Sequence, residues 1–349
     1  MGVCESQCRL SGSSLDSSEE GSLENDAKGQ DNAFHHTDST GNTTIVAATP
    51  ETQSGLNADG PSPSDTPTSM GPSDVLITGE IGRGLVTVTY AGTFTKTGEK
   101  VAIKRPVRYA LPPSTDCAAR DGQAEKAEDH LKMWRDEVNL MVAVGPHPDL
   151  CRFIGACLES ASSMFLCYEF LGGGSLSARI LDVSLPIDGL RIALEVSSGM
   201  KHLHSKEVLH RDLKSGNIML DAQGHAKICD FGLSCFVRQD GEQTAETGTY
   251  RWMAPEVIRH EKYSFSADVY SYGIMLWEVF ARAKPYADLT PIQAAYGVAK
   301  KNLRPTIPES VSPAMSHLMT RCWAKNPAQR PTFAEIHQLL STGGVDETV

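Results

Sequence analysis

His210-Arg211-Asp212-Leu213-Lys214-Ser215-Gly216-Asn217-Ile218-Met219-Leu220 places a carboxylate, an ammonium group and a primary amide on one short stretch of chain. Upstream, Ile192, Val196, Met200 and Leu203 recur at helical spacing, and downstream an apolar run ends at Asp221, so the stretch is a loop mounted between packed elements. Loops held on rigid scaffolds are where catalytic groups tend to sit. A proton acceptor, a screening cation and an amide oxygen suited to a hard divalent ion are what phosphoryl transfer requires, because that reaction needs positioning and charge neutralisation more than covalent help. Asp212 would orient and deprotonate a hydroxyl, Lys214 would screen the moving group, and Asn217, one helical turn from Lys214, would hold magnesium. Each residue alone has an ordinary explanation, a lone aspartate being most often a helix cap or a solvated charge. Their order is what carries the information.

Outward from that loop, Val101-Ala102-Ile103-Lys104 runs β-favouring or small residues into a lysine, and Asp230-Phe231-Gly232 follows the strand-like Ala226 to Cys229. Glu137 lies where Leu131, Trp134, Val138 and Met141 recur at helical spacing, beside the stripe that would be buried. Ala254-Pro255-Glu256, Asp268 and Arg330 complete the series. Singly, Glu137 suits a solvated helix face, Arg330 a surface charge and Asp230-Phe231-Gly232 a turn. Together, in this order and over roughly residues 75 to 340, the segments resemble the signatures of the eukaryotic protein kinase family.

The resemblance implies an α+β, bilobal fold. A small antiparallel β-sheet lobe with one long helix would span about 74–168, and a larger, mainly α-helical lobe about 172–342. It implies ATP and Mg2+ as cofactors, Lys104 on the phosphates with Glu137 as its anion, and Asp230 as the second metal ligand beside Asn217. Glu256 would pair with Arg330, and Asp268 would brace the catalytic loop from below. Glu169 to Leu171, at the end of Met164 to Leu171, would meet adenine through backbone groups, with Ala102 above the ring, Met219 beneath it, and Tyr168 guarding a small rear cavity.

The phosphate loop departs from the family pattern. Ile81-Gly82-Arg83-Gly84-Leu85-Val86-Thr87-Val88-Thr89 keeps Gly82 and Gly84, whose missing side chains let backbone amides approach phosphates. Val86 replaces a loop-tip aromatic, Thr87 a third glycine, and Thr89 the valine over adenine. A β-branched Thr87 at positive φ would cost roughly 1–2 kcal/mol or reshape the loop, so weakened nucleotide binding is expected without loss of the catalytic groups.

Lys214-Ser215-Gly216-Asn217, with Gly248-Thr249 before Ala254, resembles serine/threonine rather than tyrosine kinases. The phrases Phe153-Ile154-Gly155-Ala156-Cys157, Gly248 to Met253 and Leu289 to Ala295 resemble the plant-type, Raf-like branch of tyrosine-kinase-like enzymes, whose members often serve in signalling cascades. Partners would be protein substrates with serine or threonine acceptors. A dual-specificity kinase, and a weakly ATP-binding scaffold tethered at a membrane, stay open as alternatives. By the same resemblance Arg211 would meet a phosphate on the activation segment, where Thr244 and Thr247 are the candidates against the plainer reading of a solvated loop, and Thr249 would bond the base aspartate and lysine.

The chain has 349 residues and a net charge of −11. Residues 1–73, rich in Ser, Thr, Gly, Asp and Pro, carry eleven acidic residues against Arg9 and Lys28, and are expected to form a disordered tail, with 343–349 a flexible C-terminus. No basic stripe argues for nucleic acid. Met1-Gly2-Val3-Cys4-Glu5-Ser6 fits the pattern for myristoylation of Gly2, with Cys4 and Cys8 placed for palmitoylation as a second anchor, which would add a membrane surface to a cytoplasmic protein. None of the nine cysteines forms a C-x-x-C pair, and no apolar stretch approaches the ~20 residues of a membrane span. Cys229 fits a buried apolar position first and a place facing the nucleotide pocket second. A Pro-containing connection, longer than usual, is expected from Arg105 to about Ala124.

Overall fold

The computed structural model describes residues 68–84, 86–107, 117–160, 163–237 and 249–343, with side chains from residue 131 onward in the long helix. A six-stranded sheet in the order β1-β5-β6-β4-β3-β2 forms the smaller lobe, from β1 (Thr68–Ser69), β2 (Val75–Arg83), β3 (Thr87–Phe94), β4 (Lys100–Pro106), then α1 (Cys117–Val144), β5 (Phe153–Cys157) and β6 (Phe165–Glu169). Neighbours pair antiparallel except β1, which runs parallel to β5. The two-residue period of β4 divides its side chains: Val101 and Ile103 are fully buried in a core with Met70, Ile154, Phe165 and Cys167, whereas Ala102 and Lys104 face the cleft between the lobes. Gly92 has to be glycine, because a Cβ there would stand 2.5 Å from Ile103 Cδ1 and 2.6 Å from the Leu76 carbonyl oxygen.

Two expected boundaries shift. Met70, assigned to the tail by composition, is buried in the small core, and β1 pairs ahead of it, so packing begins before residue 74. The connection after β4, expected to reach about residue 124, gives way to α1 at Cys117. Composition is a property of a window, and a few apolar residues at its edge can join a sheet without changing the average.

The larger lobe continues with β7 (Gly174–Ser175), α2 (Leu176–Leu181), α3 (Gly189–Ser205), β8 (Val208–Leu209), β9 (Ile218–Leu220), β10 (Ala226–Ile228) and β11 (Cys235–Phe236). There follow α4 (Pro255–Ile258), α5 (Ser266–Ala281), α6 (Pro291–Lys301), α7 (Pro313–Cys322) and α8 (Phe333–Ser341). Ile192, Val196, Met200 and Leu203 form the buried face of α3, as their spacing predicts, and Asp188 caps that helix by accepting from the Arg191 N–H at 2.9 Å. Thr290 with Gln293 and Thr332 with Glu335 make capping boxes that start α6 and α8.

Helix α5 has no solvent face along most of its length, and its apolar residues fill the larger core. Its buried polar residues Asp268, Ser271 and Glu278 therefore need internal partners. They find them on the loop from Val208 to Leu220 and at Trp252, which is how the core positions the candidate site.

Candidate active site

The loop Val208 to Leu220 is pinned at its start by one buried carboxylate. Asp268 accepts the N–H groups of His210 and Arg211, both at 2.9 Å, and bonds His204 Nε2 at 3.0 Å. Burial opposes its charge, but the hydrogen bond from His204 and its other partners hold its pKa below the ordinary carboxylate value. These bonds also secure Arg211 at φ 69°, a left-handed conformation that a non-glycine residue adopts at a cost of about 1–2 kcal/mol. His210 accepts from the Asp212 N–H at Nδ1 (3.3 Å), which leaves Nε2 as the nitrogen that donates to the Cys229 carbonyl at 3.2 Å.

Asp212 Oδ2 then receives Lys214 Nζ at 2.5 Å and Asn217 Nδ2 at 2.8 Å, and the same amide nitrogen donates to the Asp212 carbonyl at 2.8 Å. Lys214 reaches on to Thr249 Oγ1 at 2.9 Å, so Thr249 meets the aspartate through the lysine. The Arg211 side chain extends to Cys235 Sγ on β11, the opening of the activation segment. Thr244 and Thr247 lie outside the described residues, as do Gly2, Cys4 and Cys8.

Across the cleft, Lys104 Nζ bonds both oxygens of Glu137 (3.0 and 3.2 Å) and Asp230 Oδ1 (3.0 Å). Burial works against the ammonium charge, yet the two carboxylates outweigh it and raise the lysine's pKa, while Lys104 pulls Asp230 down. Gly232 leaves room for this cluster, since a Cβ there would stand 3.3 Å from Lys104 Nζ and 3.5 Å from Asp230 Oδ1.

Between the two networks opens a cleft of about 570 Å³. It is lined from the small lobe by Ile81, Gly82, Gly84, Thr89, Ala102 and Lys104, along its rear and edge by Tyr168, Glu169 and Leu171, and from the large lobe by Asn217, Met219, Cys229 and Asp230. Every nucleotide-contact residue expected from sequence is thus brought to one cavity, and Cys229 takes the second of its two readings. A magnesium ion fits the donor set, because Asn217 turns its nitrogen toward Asp212, which leaves its oxygen as the ligand, and Asp230 has a carboxylate oxygen beyond the one that Lys104 holds.

One expectation about the phosphate loop is corrected. Thr87 is extended, the first residue of β3, paired with Pro106, and has no positive φ. The turn is closed by the Gly84 N–H on the Thr87 carbonyl at 2.8 Å. The strain assigned to a threonine at this position does not arise, because strand pairing rather than the glycine pattern sets its backbone.

Sequence reasoning missed three contacts. Tyr168 donates its hydroxyl to Glu137 Oε1 at 2.8 Å, so the residue expected only to block a rear cavity also holds the anion of Lys104. Tyr168→Ala is expected to admit ligands that extend behind Lys104, with a gain in affinity by calorimetry, and to loosen Glu137 at a cost of about 1.5–3 kcal/mol for a lost charged hydrogen bond.

Glu278 is the second. It accepts Ser215 Oγ at 2.7 Å, the Ser215 N–H at 3.3 Å and Trp252 Nε1 at 2.6 Å, tying the catalytic loop to the activation segment. Ser271 adds a bond to the Trp252 carbonyl at 2.9 Å. Burial raises the Glu278 pKa to about 7 from its usual 4.5. The folded protein therefore binds a proton that the unfolded chain releases, and this contribution to stability is full below about 4.5 and lost as pH rises through about 7. Glu278→Gln is expected to flatten that part of the pH dependence, read from denaturation midpoints across the window.

The third is Arg251, buried and bonded to the carbonyls of Pro285, Tyr286 and Leu289, which joins two phrases that the sequence shows only as separate resemblances.

The chain matches the family described as protein tyrosine and serine/threonine kinase over residues 75–340, and it belongs to that family. It is similar to the serine/threonine-protein kinase STY17 of Arabidopsis thaliana, 44% identical over 60% of this chain and 37% of that protein. It is also similar to the serine/threonine/tyrosine-protein kinase HT1 of the same plant, 44% identical over 56% of this chain and 50% of that protein. The probable serine/threonine-protein kinase drkC of Dictyostelium discoideum is 36% identical over 77% of this chain and 34% of its own length. The chain thus spans half or less of the length of these relatives. Among the described residues, no helix is long and apolar enough to cross a membrane.

Proposed function

We propose that the chain is an ATP-dependent serine/threonine protein kinase of the Raf-like type, working with magnesium on protein hydroxyls. The observation that carries this reading is the meeting of two networks at one cleft: Asp212 with Lys214 and Asn217 on the large lobe, and Lys104 with Glu137 from the small lobe, reaching Asp230 on the large one. Bound ATP and Mg2+ supply the phosphoryl group and neutralise its charge. Asp212 orients the acceptor hydroxyl and takes its proton, Lys214 screens the group in transit, and Lys104 holds the nucleotide's phosphates. Asn217 and Asp230 hold the metal. Glu169 gives its N–H to the Arg152 carbonyl at 3.0 Å, so its carbonyl and the Leu171 backbone are the groups offered to adenine, between Ala102 and Met219.

Lys214, bonded to both Asp212 and Thr249, supports an alcohol acceptor on serine or threonine. The name of the HT1 relative supports the dual-specificity alternative. Purified protein with magnesium and labelled ATP, followed by phosphoamino-acid analysis, separates them. Label on serine and threonine alone is expected, phosphotyrosine would favour dual specificity, and no incorporation would leave the scaffold reading. Mapping the same labelled protein tests whether Thr244 or Thr247 carries the phosphate that Arg211 would bind.

The kinase domain is taken as residues 74–342, with β1 and Met70 packed on its edge, behind an acidic tail and ahead of a short C-terminal segment, 343–349. The Gly2 motif, with Cys4 and Cys8, supports lipidation that would bring this cytoplasmic kinase to a membrane surface. Gly2→Ala is expected to lower the membrane-bound fraction on cell fractionation; an unchanged fraction would end the idea.

A further inference from the structure

Cys151 and Cys229 meet at the wall of the cleft, and neither takes part in the proposed reaction. Leu150 and Ile228 form a parallel bridge, with the Ile228 N–H on the Asp149 carbonyl at 2.9 Å and the Cys151 N–H on the Ile228 carbonyl at 2.8 Å. One residue further along each chain, Cys151 stands opposite Cys229 on the same face. Opposed residues of adjacent strands lie about 4.8 Å apart, inside the window of about 4.4–6.8 Å between Cα atoms that a disulfide spans. We propose that these two thiols are an oxidation site, closing to a disulfide in the presence of a peroxide and so impairing the cleft.

The roles divide by exposure. Cys229 is half-buried and reachable from the cleft, whereas Cys151 is buried, and its contact with the Cys229 thiol together with burial keeps it protonated. Cys229 is the thiol that a peroxide reaches: its sulfur takes one peroxide oxygen to give a sulfenic acid, and the other oxygen leaves as water. The Cys151 sulfur then attacks that sulfenic sulfur, the S–O bond breaks, and a second water carries off the oxygen and the thiol proton. The net change is the oxidation of two thiols and the reduction of one peroxide.

The consequence follows from what the Cys229 peptide holds. Its N–H donates to the Asn217 carbonyl at 2.8 Å, its carbonyl meets His210 Nε2 at 3.2 Å, and Asp230 is the next residue. A cross-link there pulls on the segment between the two proposed metal ligands. Four other described cysteines, Cys157, Cys167, Cys235 and Cys322, are not among the residues lining this cavity.

The test treats the full chain with hydrogen peroxide, with and without magnesium–ATP, and maps its peptides by mass spectrometry. Expected is a cross-linked pair joining the segments around Cys151 and Cys229, removed by dithiothreitol, suppressed by nucleotide, and absent from Cys151→Ala and from Cys229→Ala. The kinase activity of the wild type, referred to its own untreated value, should be lost and recover on reduction, while each variant should keep its own untreated value. The covalent readout stands whether or not the chain is an active kinase. Accumulation of Cys229 sulfinic acid without cross-linking, pairing of either cysteine with a different one, or equal inactivation of the variants would overturn the proposal.

Discussion

Asp212→Asn is expected to lower kcat by about 10²–10⁴-fold, the range that positioned general-base catalysis contributes, with the KM for ATP nearly unchanged. The substitution is close to isosteric, and the new amide keeps one oxygen for Lys214 or Asn217, which now meet at Asp212 Oδ2. What disappears is the basicity. Asp212 is not among the residues that line the nucleotide cleft, so ground-state binding of ATP should survive. A fall in kcat with constant KM marks an interaction made in the transition state alone. If the variant instead retained full kcat, the hydroxyl would be losing its proton elsewhere and the assignment of Asp212 would fail. Steady-state kinetics at saturating protein substrate decides it.

Arg330→Leu is expected to destabilise the larger lobe by about 3–5 kcal/mol, the usual result of leaving one member of a buried ion pair behind. Arg330 donates to Glu256 through both terminal nitrogens, at 2.5 and 2.9 Å, to the Ser266 carbonyl at 2.9 Å, and through Nε to the Ala324 carbonyl at 3.0 Å. Its guanidinium also lies over the Tyr270 ring at 5.2 Å. Glu256 is 2% exposed, so without Arg330 its charge has neither water nor a partner. Against a typical total of about 5–15 kcal/mol, such a loss is a large fraction of the stability. Urea midpoints should fall accordingly. The double variant Glu256→Leu with Arg330→Leu should recover part of the loss, because removing both charges also removes the desolvation cost; no recovery would mean that the carbonyl bonds of Arg330 matter more than its pairing with Glu256.

Residues whose chemistry is declared by their neighbours in the chain are legible from the sequence alone. Asp212, Lys214 and Asn217 sit close together, and the structure joins them directly. Lys104, Glu137 and Asp230 are far apart in sequence, yet Lys104 and Asp230 each lie in a motif, Glu137 is picked out by the amphipathic helix pattern that falls between them in the family's order, and the three also meet. Glu278 has no such motif. It is a single acid on a helix, and the partners it binds, Ser215 and Trp252, are distant in the chain. A usable signal does exist: the stretch from Ala267 to Val279 is apolar on all sides, so an acid within it has no face on which to meet water. Thr87 misleads for the opposite reason. Its residue type is weighed against a backbone angle that the glycine pattern asks of the loop, while the pairing of β3 with β4 sets that angle independently. The β1 strand is hidden because two residues are too few for any periodicity to show.

The buried pair of Glu256 and Arg330 also sets a clock on the protein's manufacture. Glu256 and Arg330 are separated by 74 positions. At about 5–20 residues per second, a ribosome needs roughly 4–15 s to deliver the arginine after the glutamate has been made. Throughout that interval the newborn chain carries the catalytic loop and an acid destined for burial, without the cation that lets it be buried. The larger lobe cannot finish folding from its N-terminal side as it emerges; it waits for its last helices to arrive, and meanwhile it is the kind of half-made intermediate that chaperones exist to shield.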